Sequence, residues 1–385
     1  MRRAGMDILA VNAGSSSLKY ALYAQVDGGE LQAPVVSGNF EGLEANQDND
    51  SFLNALQELA ATVALQLQGR PLAAVAHRVV HGGAWYREAV LVTPPVFQRL
   101  ETLSGLAPLH QPHNLQGISR FQALYPPVPQ IACFDTAFHA HLPAEEYLFA
   151  LPPSYNEQGI RRYGFHGLSY AYVQTQLQQR SQRAHQRVVM AHLGNGASLC
   201  AMHEGQSIAT TMGFSAVEGL MMGTRSGSID PGVLLHLLGQ GMDSEALTKL
   251  LYKQSGLWGV SGVAADMRSL RASANPQAKL AIDMFTHRIV RETGAMTACL
   301  QGLDVLAFSG GIGEHDAVLR QAVCRRLHYL GVSLDEHKNL QADGQQAVRI
   351  DQGTGSVEVW VIPTDEGRMA ALSARDVLMR RASSL

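Results

Sequence analysis

One layout occurs twice in this chain and constrains its fold more than any other feature. Residues 7–12 and 19–24 read as strands joined by a turn of small residues, and residues 35–40 read as a third strand. In the second half, residues 187–193 and 197–204 flank the turn Gly194-Asn195-Gly196 in the same way. Two related α/β halves facing one another are the architecture this repetition suggests. Length points the same way, because 385 residues, 46% of them hydrophobic, exceed what one ordinary core accommodates.

After each hairpin the period changes to that of helices. A helical pattern over 51–68 ends at Gly69, and a buried strand follows at 73–80. Helices at 96–106 and 115–124 lead to an apolar strand, 131–134, that ends on Asp135. In the second half come helices at 231–238, 244–254 and 276–301, strands at 304–308 and 357–362, and a last helix over 367–381. The chain loosens through Leu142, Pro143, Leu151, Pro152 and Pro153, which marks a boundary. The expected division is 1–140 with 367–385, the last helix packing back on the first domain, against 141–366.

Composition excludes several function classes. A formal charge of −3 with evenly scattered Lys and Arg offers no basic face for a nucleic-acid backbone, so small-molecule chemistry is favoured. Cys133, Cys200, Cys299 and Cys324 are far apart and lack CxxC spacing, which indicates a reducing, cytoplasmic setting. Arg2 and Arg3 precede an apolar run, residues 8–11, that is too short for a signal-peptide core. No stretch reaches the roughly 20 apolar residues of a membrane-spanning helix, so no membrane association is expected. There is no HExxH or zinc-spaced Cys/His set, and no GxSxG elbow.

Three turns invite an anion. NAGSSSLK, residues 12–19, leaves backbone N–H groups free for a nest beside Lys19, or is a plain hairpin turn; it lacks P-loop spacing. GNGAS, residues 194–198, has the same two readings. SGGIG, residues 309–313, follows a buried strand and precedes an expected helical run over 315–330, which suits a phosphate or a nucleotide edge; GGIGEH does not meet the GxGxxG fingerprint. A nucleoside triphosphate in the cleft between the halves accounts for all three.

Four polar residues stand out beside them. Arg78 lies inside an apolar strand and needs an anionic partner, either a ligand or a structural carboxylate. Arg225 sits among small residues that permit close approach, or is a solvated loop arginine. Asp135 ends a buried strand, facing a metal or transfer site or capping a turn. His166 is a candidate donor to a phosphoryl oxygen, or a structural histidine.

Together the segments resemble the acetate kinase (acetokinase) family along nearly the whole chain. The matching blocks, in order, are NAGSSSLK (12–19), HRVVHGG (77–83), APLHQPHNL (107–115), FDTAFH (134–139), RRYGFHG (161–167), AHLGNGASL (191–199), EGLMMGTRSGSIDP (218–231), SGGIGEH (309–315) and IPTDE (362–366). The resemblance implies two ribonuclease-H-like domains of the actin-like ATPase type with an active-site cleft between them. It also implies a homodimer, ATP/ADP and acetate as substrates, and Mg²⁺, with Mn²⁺ as a substitute. Residue by residue, it implies a transfer site of Asn12, Arg78, Asp135, His166 and Arg225, with Glu366 and Asn12 serving the metal. Val80, Leu109 and Phe165 match the pocket for the substrate methyl, beside Arg78. Nucleotide contacts match Ser17, Lys19, His192, Leu193, Gly194, Asn195, Gly196, Asp266, Met267, Arg268, Gly311, Ile312, Gly313, Glu314 and His315.

This chain departs from the family pattern at four points: His315 stands where Asn is common, Ala216 replaces a pocket proline, Ala209 replaces a frequent Asp, and Gly367 replaces a second Glu after Glu366. Extra room at Ala216 keeps propionate open as an alternative substrate. A chaperone-like or filament-forming ATPase on the same fold needs a spare peptide-binding or polymer segment, and none of useful length is visible.

Overall fold

The computed structural model describes residues 6–24, 33–43, 45–46 and 49–383; Arg2 and Arg3 lie outside them. By internal contacts the chain divides into two compact units, Met1–Ala140 with Asp365–Leu385, and His141–Thr364. Asp365 and Glu366 therefore group with the first unit, whereas the sequence reading put them in the second.

In the first unit the strands are β1 (Asp7–Ala13), β2 (Ser17–Tyr23), β3 (Val36–Glu41), a short ladder of β4 (Ala45–Asn46) and β5 (Asn49–Asp50), then β6 (Leu72–Val79), β7 (Val90–Leu91) and β8 (Gln130–Phe134). The main sheet runs β3-β2-β1-β6-β8-β7. Hairpins make β1, β2 and β3 antiparallel, while β1, β6 and β8 are parallel because helices cross between them. Central β1 is buried along most of its length, whereas edge strand β3 alternates between half-buried and exposed residues.

The helix Ser51–Leu67 covers one face. It buries Phe52, Ala55, Leu56, Leu59, Val63 and Leu67, a three-to-four spacing, in one core with Leu9, Val11, Leu18 and Leu22. Each fully buried aliphatic side chain there contributes about 1.5–3 kcal/mol. The closing helix Glu366–Ser383 packs on β1, β6 and β8 through Ala370, Ala371 and Ala374, residues small enough for close approach. Cys133 Sγ of β8 donates to Ala370 O across 3.5 Å.

The second unit repeats the scheme. Its strands are β9 (Val188–Leu193), β10 (Ala197–His203), β11 (Gln206–Thr210), β12 (Val305–Ser309), β13 (Val348–Arg349) and β14 (Glu358–Val361), in the order β11-β10-β9-β12-β14-β13. Strand for strand, the parallel and antiparallel relations match those of the first sheet. The longest helix, Pro276–Leu300, packs on β10; Asn275 caps it by accepting the Gln277 N–H, Pro276 opens it, and Gln301 ends it in a left-handed conformation.

Several helix boundaries differ from the sequence reading: the helices expected over 96–106 and 115–124 are Pro94–Glu101 and Gln111–Leu124, and the glycine-rich segment departs further. The helical run expected over 315–330 begins at Gly310. Gly310–His315 is a short helix, Asp316 interrupts it, and Ala317–Arg326 follows. The glycine-rich segment is thus a helical turn, held by the Glu314 carboxylate accepting the Gly310 N–H at 2.7 Å.

Candidate functional site

In the first unit, adjacent parallel strands bring two candidates together. Arg78 of β6 pairs in register with Cys133 of β8, and Asp135 follows two residues later with its N–H on Val79 O. The Arg78 guanidinium meets Asp135 as a fork, Nε to Oδ1 at 3.0 Å and Nη2 to Oδ2 at 2.7 Å. Its remaining Nη1 lies 3.3 Å from Glu366 Oε2. Burial works against the charged guanidinium, but the Asp135 and Glu366 carboxylates outweigh it and hold the Arg78 pKa above its ordinary value. The anionic partners that Arg78 required are therefore two of the predicted site carboxylates.

A cavity of about 290 Å³ opens on this cluster, lined by Asn12, Lys19, Arg78, Asp365 and Glu366 among others. Asn12 and Lys19 are a facing pair near the end of the β1–β2 hairpin, where Gly14 N–H closes the turn on Ser17 O. Ser17 is half-buried at the start of β2. Val80, just past β6, is half-buried and its N–H donates to Asn114 Oδ1. Leu109 is 36% exposed. Sequence reasoning missed Gln111 and Asn114, although both lie in the APLHQPHNL block. Gln111 brackets the His81 backbone with its Oε1 and Nε2, and Asn114 ties Val80 to Ala13 O.

In the second unit, His166 precedes the helix Gly167–Gln178 with φ of 59°, a left-handed conformation uncommon for a non-glycine residue. Its Nδ1 lies 2.8 Å from Ser198 Oγ, and its ring stacks on His192 with centroids 4.3 Å apart. His192 Nδ1 in turn meets Ser169 Oγ at 2.8 Å. A Cβ built on Gly196 would sit 3.2 Å from His166 Nε2 and 3.8 Å from Arg225 Nη1, so both donors converge on a glycine that leaves room there. Arg225 Nη1 also donates to Ala216 O at 3.1 Å, the position where a proline was expected. Phe165 is buried. Ser169, Tyr170 and Ser198 escaped sequence reasoning, since hydroxyl side chains in apolar segments carry no spacing signal.

Apart from Ser17 and Lys19, which belong to the first unit, the nucleotide candidates lie in this second unit. β9 and β12 are parallel neighbours, so the Leu193–Gly196 turn and the Gly310–His315 helix leave the same end of the sheet, where open α/β sheets bind ligands. A Cβ on Gly194 would lie 3.9 Å from Gly311 N. Asn195 O accepts the Gly223 N–H, and its side chain occupies the space a Gly223 side chain would need. Gly311 is exposed, Ile312 half-buried and Gly313 buried. Glu314 is buried; that burial raises its pKa, and its carboxylate turns to the N–H groups of Gly310 and Thr364. His315 is exposed and packs over Gly344. Asp266 caps the helix Met267–Ala272 through the Ser269 N–H, the bond that lowers its pKa; Met267 is buried and Arg268 exposed.

Known proteins carry the same pattern. The acetokinase family model matches residues 7–372. An acetate kinase of Rhodopseudomonas palustris is 46% identical, with 94% of this chain and 96% of that protein covered. The crystal structure of Porphyromonas gingivalis acetate kinase superposes with a TM-score of 0.84 at 34% identity, covering 97% of this chain and 100% of the other. A propionate kinase from Francisella tularensis gives the same TM-score of 0.84 and 34% identity, with 96% and 98% covered. The chain belongs to the acetokinase family.

Proposed function

We propose that the chain is an acetate kinase, which moves the γ-phosphoryl group of ATP reversibly onto acetate to give acetyl phosphate and ADP. The observation that carries this reading is the Arg78 guanidinium forked onto Asp135 and reaching Glu366 at the edge of a cavity that Asn12 also lines. Acetate ionises much like a glutamate side chain, at about 4.3, so it is already a nucleophile near neutral pH and needs no general base. The obstacle is the approach of one anion to another, which fixed cations relieve. Arg78 holds the carboxylate, and the apolar Val80, Leu109 and Phe165 are the candidates for the substrate methyl. His166 Nε2 and Arg225 take the oxygens of the phosphoryl group in flight, and Asn12 donates another hydrogen bond.

Among the described residues no group of three or more His, Cys, Asp or Glu could hold a metal by itself. That suits Mg²⁺, or Mn²⁺ in its place, because Mg²⁺ takes one or two protein carboxylates and completes its shell with water and substrate phosphates. Glu366 with Asn12, and Asp135 through water, would hold it. When bound, the ion would neutralise phosphate charge. ATP and ADP contacts fall to Ser17, Lys19, His192 to Gly196, Asp266 to Arg268 and Gly311 to His315.

Ala216 favours a second reading in which propionate is also accepted, since one methylene in an apolar pocket discriminates by only about 1–3 kcal/mol. Steady-state kinetics with both acids test it: kcat/KM favouring acetate is expected, and kcat/KM favouring propionate would overturn the acetate assignment. A homodimer is supported by the helix Pro231–Gly239, which buries none of its residues and exposes Val233, Leu235 and Leu238. Four cysteines without a disulfide support a cytoplasmic setting. Among the described residues no helix is long and apolar enough to cross a membrane.

A further inference from the structure

Ser198 stands on β10 opposite His192 of β9, and its hydroxyl touches two residues of one segment. Its Oγ lies 2.8 Å from His166 Nδ1 and 2.5 Å from Tyr170 Oη. Ser198 and Tyr170 are fully buried, so the direction of each hydrogen bond is set by the groups around them. A backbone hydrogen bond from His192 also reaches the Tyr170 oxygen, and the short contact to Ser198 Oγ gives the Tyr170 proton an acceptor. Burial first, then the neighbouring Cys200, hold the Tyr170 pKa well above its ordinary value, so the group stays an O–H donor.

We infer that Tyr170 and Ser198 form a one-way relay, Tyr170 O–H to Ser198 Oγ and Ser198 O–H to His166 Nδ1, that keeps His166 as the neutral tautomer with its proton on Nε2. With Nδ1 accepting, a neutral imidazole must carry its hydrogen on the other nitrogen. Nε2 is the atom that converges with Arg225 Nη1 on Gly196. The proposal deepens the reading of His166 as a donor to phosphoryl oxygens and rests on it. A neutral donor beside Arg225 adds a hydrogen bond without placing a second cation against the guanidinium. Ser198 and Tyr170 touch no reacting atom in this scheme and are positioning residues.

Nitrogen-15 NMR of the full-length protein labelled at histidine reads the tautomer directly, with the His166 signals identified by their loss in His166→Asn. Near about pH 7, where free histidine is mostly neutral, wild-type protein is expected to show a protonated Nε2 and a bare Nδ1. In Ser198→Ala and Tyr170→Phe the two nitrogens should move towards averaged shifts. Their kcat should fall about tenfold, less than the roughly 10²-fold loss on removing a transition-state donor outright. KM for ATP and acetate should change little. A bare Nε2 or an imidazolium in wild-type protein overturns the relay, and so do variant spectra identical to wild type. Because the spectra need no turnover, a chain with the expected tautomer but no acetate phosphorylation would sink the functional reading and leave the relay standing.

Discussion

Arg78 is assigned two roles that substitution can separate. Arg78→Ala leaves Asp135, 2% exposed, without its fork, and breaking such a pair from one side costs roughly 3–5 kcal/mol. Arg78→Lys keeps a cation for Asp135 but loses the planar grip on a carboxylate. Both variants should lose about 10²-fold or more in kcat/KM for acetate, while the thermal midpoint falls much further in Arg78→Ala; near-wild-type kcat/KM in either contradicts the role assigned to Arg78. The cysteines give a second residue-scale expectation. Burial pushes Cys133, Cys200 and Cys324 up to about 12; it raises Cys299 as well, but of the four this thiol alone is exposed. A native-state thiol titration should therefore find one fast-reacting group per chain and four after denaturation. Arg78 was legible in the sequence because a cation inside an apolar strand demands a partner. Ser198 was not, because a serine in a buried strand looks the same whether or not a histidine needs it.

At the scale of elements, the start of the closing helix Glu366–Ser383 holds one of the four departures read from the sequence, Gly367. Asp365 caps the helix by accepting the Arg368 N–H at 2.8 Å, and the same Oδ1 accepts from Tyr23 Oη at 2.9 Å. A Cβ at Gly367 would lie 2.9 Å from that hydroxyl, so the glycine that replaces the family's second Glu makes room for Tyr23. Gly367→Ala should displace the hydroxyl, loosen the cap and raise the Mg²⁺ concentration needed for half-maximal rate. In a Tyr23→Phe background the same change should matter less, with a coupling of about 0.5–3 kcal/mol in a double-mutant cycle; strictly additive effects would refute the contact's role. The hairpins and long helices were legible from period and caps. The helix Gly310–His315 was not, since glycine has poor helix propensity and its hold comes from the buried Glu314 carboxylate. Two-residue edge strands such as β7 are too short to carry a period.

Across the whole molecule, the twice-used sheet order explains why one sequence layout announced the architecture: the same hairpin, crossover and parallel strands generate each unit. Side-chain pairings across β6 and β8 were out of reach, because register depends on partners distant in sequence. Stability should depend on pH through the first unit. Burial lowers His77 to about 4, against its hydrogen bond with Gln130, and burial lowers His81 to about 4 as well. Between about 6.5 and 4 the unfolded chain binds more protons, so this contribution is complete above 6.5 and is lost as pH falls towards 4. The urea midpoint should drop over that window, less steeply in His77→Gln; equal slopes would exclude His77 as a source. Leu235→Glu, at a side chain 70% exposed on an otherwise unburied helix, should convert the proposed homodimer to monomer by light scattering. The most direct measurement is a hydroxamate trap for acyl phosphate, run with ATP, Mg²⁺ and a series of short acids. Acetate should give acetyl hydroxamate with the highest kcat/KM of the series, and ATP consumption should require the acid. ATP hydrolysis indifferent to added carboxylate, with no hydroxamate from any acid, would contradict the account at its centre.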